Sequence, residues 1–197
     1  MSTRNHILIT GTGRAGTTLL VELLTHLDFD TGFSVDSIHK INPNARAGLE
    51  QDIRMPNCPY VVKSPWFCDI AQEVIFRNDI LIEHIFIPVR DLHAAAESRR
   101  FVSKTGALKG GLWHTKSSDP TIQENILLKQ LYKLILAVSG TEIPITVMHY
   151  PKLTKDAHYL FEKLSPIIKS ITFDRFYETF NAVADPKLVH SFNENDC

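Results

Sequence analysis

Short apolar runs alternate with stretches of helical spacing along the whole chain. His6–Thr10 (HILIT) is an apolar run that ends in Gly-Thr-Gly, the pattern of a strand buried on both faces. From Arg14 to Leu27, the residues Leu19, Leu20, Leu23, Leu24 and Leu27 recur at helical spacing. Residues 28–57 are mixed and turn-rich, and predict a loop with short helical pieces carrying Asp36, His39 and Lys40. A second strand is expected over Tyr60–Lys63, followed by Ser64-Pro65, where proline can open a helix over about Trp66–Arg77. Glu83–Val89 (EHIFIPV) predicts a third strand, and Asp91 stands at the N-cap position of an Ala-rich helix running to about Val102. Ser103–Pro120, rich in Gly and Lys, has the length of a lid or binding loop. Thr121–Val138 reads as a long amphipathic helix and Ile143–His149 as a fourth strand. Thr154–Leu164 and Asp174–Val183 read as closing helices, with Thr154 and Asp174 as their caps.

Strands alternating with helices predict an α/β fold: a three-layer domain with a parallel sheet of four to five strands, helices on both faces and right-handed crossovers. A length of 197 residues favours one domain over residues 1–197, with loop insertions near 28–57 and 103–120. Ligands of such sheets bind outside the carboxyl ends of the strands, which is where the notable residues of this chain fall.

Charge narrows the picture further. A formal net charge of −1 gives no general attraction to nucleic acid or to an anionic membrane, so an anion site has to be a local cluster. Neither kind of partner is expected. Cys58, Cys68 and Cys197 form no Cys-x-x-Cys pair, and their odd number argues for reduced thiols. The N-terminus lacks the apolar stretch and cleavage site of a signal peptide, and no run approaches the ~18 apolar residues of a membrane span. A cytoplasmic location is the expectation.

Gly11-Thr12-Gly13-Arg14-Ala15-Gly16-Thr17-Thr18 joins the first strand to the first helix. Glycines permit close approach of a ligand to backbone, and a helix start adds free N–H groups and the positive end of the dipole. Three readings of this anion site stand beside that of an ordinary strand–helix turn. Gly11, Gly13 and Gly16 satisfy the dinucleotide pattern GxGxxG, with Asp30 or Asp36 placed to hold a ribose hydroxyl and Phe33-Ser34-Val35 as a stub of the second strand. Gly11 and Gly16 also have the spacing of a nucleoside-triphosphate loop, with Thr18 at the metal-binding hydroxyl. Thr17, however, replaces the lysine that meets the phosphates, and no apolar run ends in a metal-holding Asp.

In the third reading Arg14-Ala15-Gly16-Thr17-Thr18 resembles the loop [KR]-[SA]-G-T-[ST] of the sulfotransferases that use 3′-phosphoadenosine-5′-phosphosulfate (PAPS). That family also has an Arg at the end of its third strand and a Ser eight residues later. Arg90 and Ser98 stand at those positions. Taken alone, Arg90 would as readily pair with Asp91 or Glu97, and Ser98 would be a neutral helix residue. The resemblance implies a P-loop type of fold in which Gly11, Thr12, Gly13, Arg14, Ala15, Gly16, Thr17 and Thr18 hold the 5′-phosphosulfate, and Arg90 and Ser98 hold the 3′-phosphate, with Arg99 and Arg100 adding charge. ATP and NAD carry no phosphate at that ribose position. Val61-Val62-Lys63-Ser64-Pro65 is similar to a Lys-[ST]-Pro element of several branches, which often carry Glu where Val62 stands. Lys109-Gly110-Gly111-Leu112-Trp113 is similar to a cofactor-covering loop, and Tyr150-Pro151-Lys152-Leu153 to a Tyr-x-x-Leu element.

The resemblance implies in-line transfer of a sulfuryl group from PAPS to the hydroxyl (or amine) of a small molecule or glycan, leaving adenosine-3′,5′-bisphosphate and needing no metal. Arg14 would stabilise charge on the departing phosphate and Lys63 would lie near the transferred group. An acceptor hydroxyl needs a base. His39 is the first candidate, with Asp36 and His114 behind it, and Trp66 and Trp113 are candidates for stacking on a ring. The alternatives are an NTP-dependent small-molecule kinase and a catalytically silent nucleotide-binding relative.

Overall fold

The computed structural model describes residues 3–38, 48–104 and 119–185. Its centre is a parallel sheet of β1 (Arg4–Ile9), β2 (Val61–Lys63), β3 (Ile80–Val89) and β4 (Ile145–His149), in the order β2-β1-β3-β4. β1, β2 and most of β3 are apolar because both of their faces are covered, whereas β4, at the edge of the sheet, leaves Ile145 and Val147 exposed. Ile7 and Ile9 of β1, Val61 of β2 and Phe86 of β3 face α1 (Thr17–His26), α7 (Ala157–Leu164) and α8 (Phe173–Val183) through Leu20, Leu23, Leu24, Leu160 and Phe176. Leu8, Val62, Ile85 and Ile87 point the other way, toward Phe67 and Ala71 of α3 (Phe67–Ile75) and Leu134 and Val138 of α5 (Pro120–Ser139). Each such side chain withdrawn from water contributes roughly 1.5–3 kcal/mol. The expected α/β architecture is therefore present, with four strands among the described residues.

The alternation in β3 has a phase break. Ile80 and Ile82 share the face of Ile85 and Ile87, although strict period two would turn them to opposite sides. The ladder to β1 accounts for this: His6 pairs with Ile82 and Ile7 with His84, so Glu83 is an extra residue with no partner in the register. It is a β-bulge, here in a parallel pair. The Glu83 carboxylate accepts from Asn5 Nδ2 at 2.7 Å and from the Tyr60 hydroxyl at 2.6 Å.

The bulge also explains why β3 starts three residues before the expected Glu83. Other boundaries move for local reasons. β4 starts at Ile145 and not Ile143; Pro144 has no N–H to donate, although its carbonyl still accepts from Ile85 N at 2.9 Å. The expected helix over Thr154–Leu164 is two elements, α6 (Lys152–Lys155) and α7, broken where Asp156 becomes the cap of α7 by accepting from Tyr159 N at 2.9 Å. Thr172, not Asp174, caps α8. α1 starts at Thr17, after a loop that takes up Arg14–Gly16. Asp91 does accept from Ala94 N, at 2.8 Å, at the start of α4 (Leu92–Lys104). Val35 opens the short helix α2 (Val35–Ile38), so the strand stub that a dinucleotide-binding unit needs does not form there. No described helix is long and apolar enough to cross a membrane. Cys58 and Cys68 are free thiols, each pushed up to about 11 by burial.

Two buried histidines make stability depend on pH. His6 Nδ1 bonds the Pro59 carbonyl at 2.7 Å, and His84 Nε2 bonds Thr146 Oγ1 at 2.7 Å. Burial is the main cause that lowers both below the ordinary 6.5. The unfolded chain then binds more protons than the folded one just below that value, so the stability these groups contribute is present above it and is lost as pH falls. The melting temperature is expected to drop between about pH 7 and about pH 5, and to drop less in His84→Asn; differential scanning calorimetry checks this.

Candidate functional site

β1 is followed by β2 on one side and β3 on the other, so a crevice opens at the carboxyl ends of β1 and β3. The glycine loop lies there. Thr10 N donates to Phe86 O at 3.0 Å, and Ser64 N donates to Ile9 O at 3.0 Å, which seats the loop's base between both neighbouring strands. Gly13 (φ 69°), Arg14 (φ 56°) and Gly16 (φ 86°) are all left-handed. At Gly13 a Cβ would stand 2.8 Å from Arg99 Nη2, and at Gly16 it would stand 2.8 Å from Leu153 Cδ1. Both positions therefore need glycine for conformation and for space. Gly16 is the N-cap of α1 and makes no side-chain cap bond, so the first amides of α1 keep the character of an anion site.

Arg14 carries a side chain in a conformation that costs roughly 1–2 kcal/mol outside glycine. It is held from both ends. Its carbonyl accepts from Arg90 Nη1 at 3.1 Å, and its Nε donates to Ser98 Oγ at 3.1 Å. Arg99, only 5% exposed on α4, donates through Nη2 to the Thr12 carbonyl. Arg90 in turn lies over the Tyr150 ring, 4.8 Å from its centroid, a cation–π contact that orients the guanidinium. Three guanidiniums thus meet one loop. Burial lowers all three from their ordinary values; Arg90 further depresses Arg14, and Arg14 further depresses Arg99, which is pushed down to about 10. Loss of hydration is the main physical cause, and repulsion between like charges adds to it for Arg14 and Arg99.

A fourth cation approaches from β2. The Lys63 side chain is 3% exposed, and its ammonium donates to Thr18 Oγ1 at 2.8 Å, the Gly48 carbonyl at 2.6 Å and Glu50 Oε1 at 2.9 Å. Burial lowers its pKa first, and the Glu50 carboxylate works against that. Glu22, buried on α1, adds a further opposing charge.

The structure therefore brings together Gly11–Thr18, Lys63, Arg90 and Ser98 at one crevice. Asp36 sits exposed on α2. Trp66 is half-buried at the N-cap of α3. His39, His114, Trp113 and Lys109–Gly111 lie outside the described residues. The Glu97 carboxylate pairs with Arg100, and Asp91 acts electrostatically on Arg90. Among the described residues, no group of three or more His, Cys, Asp or Glu side chains could hold a metal ion. Sequence reading missed Glu50, which stands in a turn-rich stretch without periodicity. It also undervalued Arg99, although Ala95 and Val102 at helical spacing mark its face of α4 as buried.

Comparison with solved structures finds the same architecture in sulfotransferase domains. The sulfotransferase domain from the curacin biosynthetic pathway superimposes with a TM-score of 0.54 at 14% identity, covering 91% of this chain and 78% of that one. The sulfotransferase domain from the Synechococcus PCC 7002 olefin synthase gives 0.56 at 13% identity, covering 95% and 83%. No protein-family model matches the sequence, and no curated protein sequence matches it. At these identities the likeness is one of fold, and the fold of this chain is sulfotransferase-like.

Two glycines allow a paired test of the loop. Gly13→Ala is expected to destabilise by about 1–2 kcal/mol, from its left-handed backbone and the displaced Arg99. Gly140→Ala, at φ −92° with open space around its Cβ, is expected to change stability by less than about 0.5 kcal/mol or to add a little. Urea denaturation of both variants measures the contrast.

Proposed function

We propose that the protein is a sulfotransferase that takes its sulfuryl group from PAPS and passes it to a hydroxyl or amine of a small molecule or glycan. One observation carries this reading: Arg14 and Arg90, both half-buried, and the buried Arg99 converge on a single glycine loop, and two of the three are depressed by a neighbouring guanidinium. Such a concentration of buried charge is relieved by an anion with several negative groups. The sulfotransferase-like fold adds weight.

The residues fit such a ligand in chemistry. The first-turn amides of α1 and the hydroxyls of Thr17 and Thr18 suit the phosphosulfate. Arg90 and Ser98, reached from β3 and α4, suit the second phosphate, where a planar guanidinium can bond two oxygens. Arg14 bridges the two groups of residues, since its backbone belongs to the loop and its Nε reaches Ser98. Sulfuryl transfer, like phosphoryl transfer, asks mainly for positioning and for charge stabilisation on the leaving phosphate. Arg14 and Lys63 are the cations for that task. Arg14 remains protonated throughout, so its role is electrostatic.

Adenosine-3′,5′-bisphosphate is expected to raise the melting temperature without metal, and more than ATP with Mg²⁺ does. Arg90→Ala is expected to weaken bisphosphate binding on the order of 100-fold, as loss of a charge-assisted pair in a dry site does. Stabilisation by ATP–Mg²⁺ with no response to the bisphosphate would sink the proposal and favour a kinase. Bisphosphate binding without sulfate transfer to any of a broad set of hydroxyl compounds would point to a silent relative.

A further inference from the structure

We propose that Glu50 is the general base that takes the proton from the acceptor hydroxyl. The assignment rests on the sulfotransferase reading and supplies the proton acceptor that the transfer of a sulfuryl group to a hydroxyl needs. Arg14, Arg90, Arg99 and Lys63 are cations, and Thr17, Thr18 and Ser98 are neutral hydroxyls. None of these can accept a proton in the course of a transfer at neutral pH.

Glu50 is placed for the role by two hydrogen bonds. Its Oε1 accepts from Lys63 Nζ at 2.9 Å, and the same ammonium donates to Thr18 Oγ1 at 2.8 Å, in the first turn of α1. The carboxylate thus stands one ammonium away from the loop that would hold the reacting group. The pair is unequal in exposure: the Lys63 side chain is 3% exposed and that of Glu50 29%. Lys63 faces inward, and Glu50 reaches toward solvent. Among the described residues Oε2 of Glu50 takes no hydrogen bond, so one oxygen is anchored and the other is open. Lys63 has three ammonium hydrogens, and Thr18, the Gly48 carbonyl and Glu50 use all three. That fixes the carboxylate's orientation. Val62, where other branches of the resembling family carry an acid, is fully buried in the core. Glu50, reaching Lys63 from a different segment, puts a carboxylate beside the same lysine.

The step balances. The acceptor O–H gives its proton to Glu50 Oε2 while its oxygen forms a bond to sulfur. The bond from sulfur to the bridging oxygen of the 5′-phosphate breaks, and the electron pair stays on that phosphate, beside the cations. Glu50 then returns the proton to water. A loose transition state leaves most of the acceptor's proton in place until late, so a carboxylate paired with an ammonium is a sufficient base.

The test compares Glu50→Gln with the wild type in two measurements. With PAPS as the probe and water standing in for the acceptor, single-turnover release of sulfate is expected to slow by about 100-fold, within the range for loss of a general base. Calorimetric binding of adenosine-3′,5′-bisphosphate is expected to tighten about threefold, because a negative charge near the phosphate site is gone. A purely structural role would weaken both together. Glu50→Ala is expected to lose the same rate and to recover part of it in formate but not in chloride. Sulfate release within threefold of wild type in Glu50→Gln, or parallel loss of rate and bisphosphate affinity, or no recovery of Glu50→Ala in formate, overturns the assignment. If the wild type itself fails to bind the bisphosphate, the nucleotide reading falls, and the base assignment with it.

Discussion

The carbonyls of the glycine loop have to be satisfied before its amides can serve as a cradle. A chain that turns through left-handed residues presents N–H groups on its concave side and carbonyls on the other, and a buried carbonyl without a donor costs about as much as a lost hydrogen bond. Arg99 supplies the donor for Thr12 and Arg90 the donor for Arg14. Both arginines come from the segment that follows β3, so the loop after β1 takes its shape from a neighbour some eighty residues away in sequence. The same contacts deliver positive charge to the rim of the crevice. Shape and charge are thus set by one group of guanidiniums, and neither can be changed without the other.

That arrangement depends on the sheet. Among the described residues β1 and β3 make the longest ladder, and both are packed between two helical layers. Positions at their carboxyl ends are therefore held to the precision of a packed core. β2 is much shorter, yet Lys63 at its end is tied to α1 through Thr18. The two flanking strands thereby each bring a cation to the loop from opposite sides. Tyr150, just beyond β4, braces Arg90 from beneath, so all four strands have a residue at or next to their carboxyl ends that bears on the crevice.

Local patterns made much of this legible. The run before Gly11, the glycine spacing and the Leu repeat after it announce a strand, a loop and a helix, because each is coded by neighbours in sequence. Arg90 is visible as the first charged residue after an apolar strand. Arg99 was harder: beside Arg100 it looks like half of a charged pair, and only the small residues one turn away reveal that it points inward. Glu50 carried no local sign at all. Its meaning comes from Lys63, thirteen residues on, and from the return of the chain to the end of β2, a long-range fact that neither periodicity nor propensity encodes. The corrected element ends share a cause too. Pro144 and Asp156 act through single backbone groups, and such effects decide boundaries without altering the pattern of apolar positions.

Glu83 makes β3 a strand of two half-strands in opposite phase. Removing that single residue would leave the length of hydrogen-bonded ladder nearly unchanged, yet it would roll Ile80 and Ile82 over to the opposite layer while Ile85 and Ile87 stayed where they are. The N-terminal half of the strand is therefore free to drift in composition only in a frame set by its own bulge, and a deletion there is a far graver event than most substitutions. The glycine loop at the carboxyl end of β1 is held as strictly by its left-handed backbone and its arginine contacts, so the scaffold is locked in count as well as in kind.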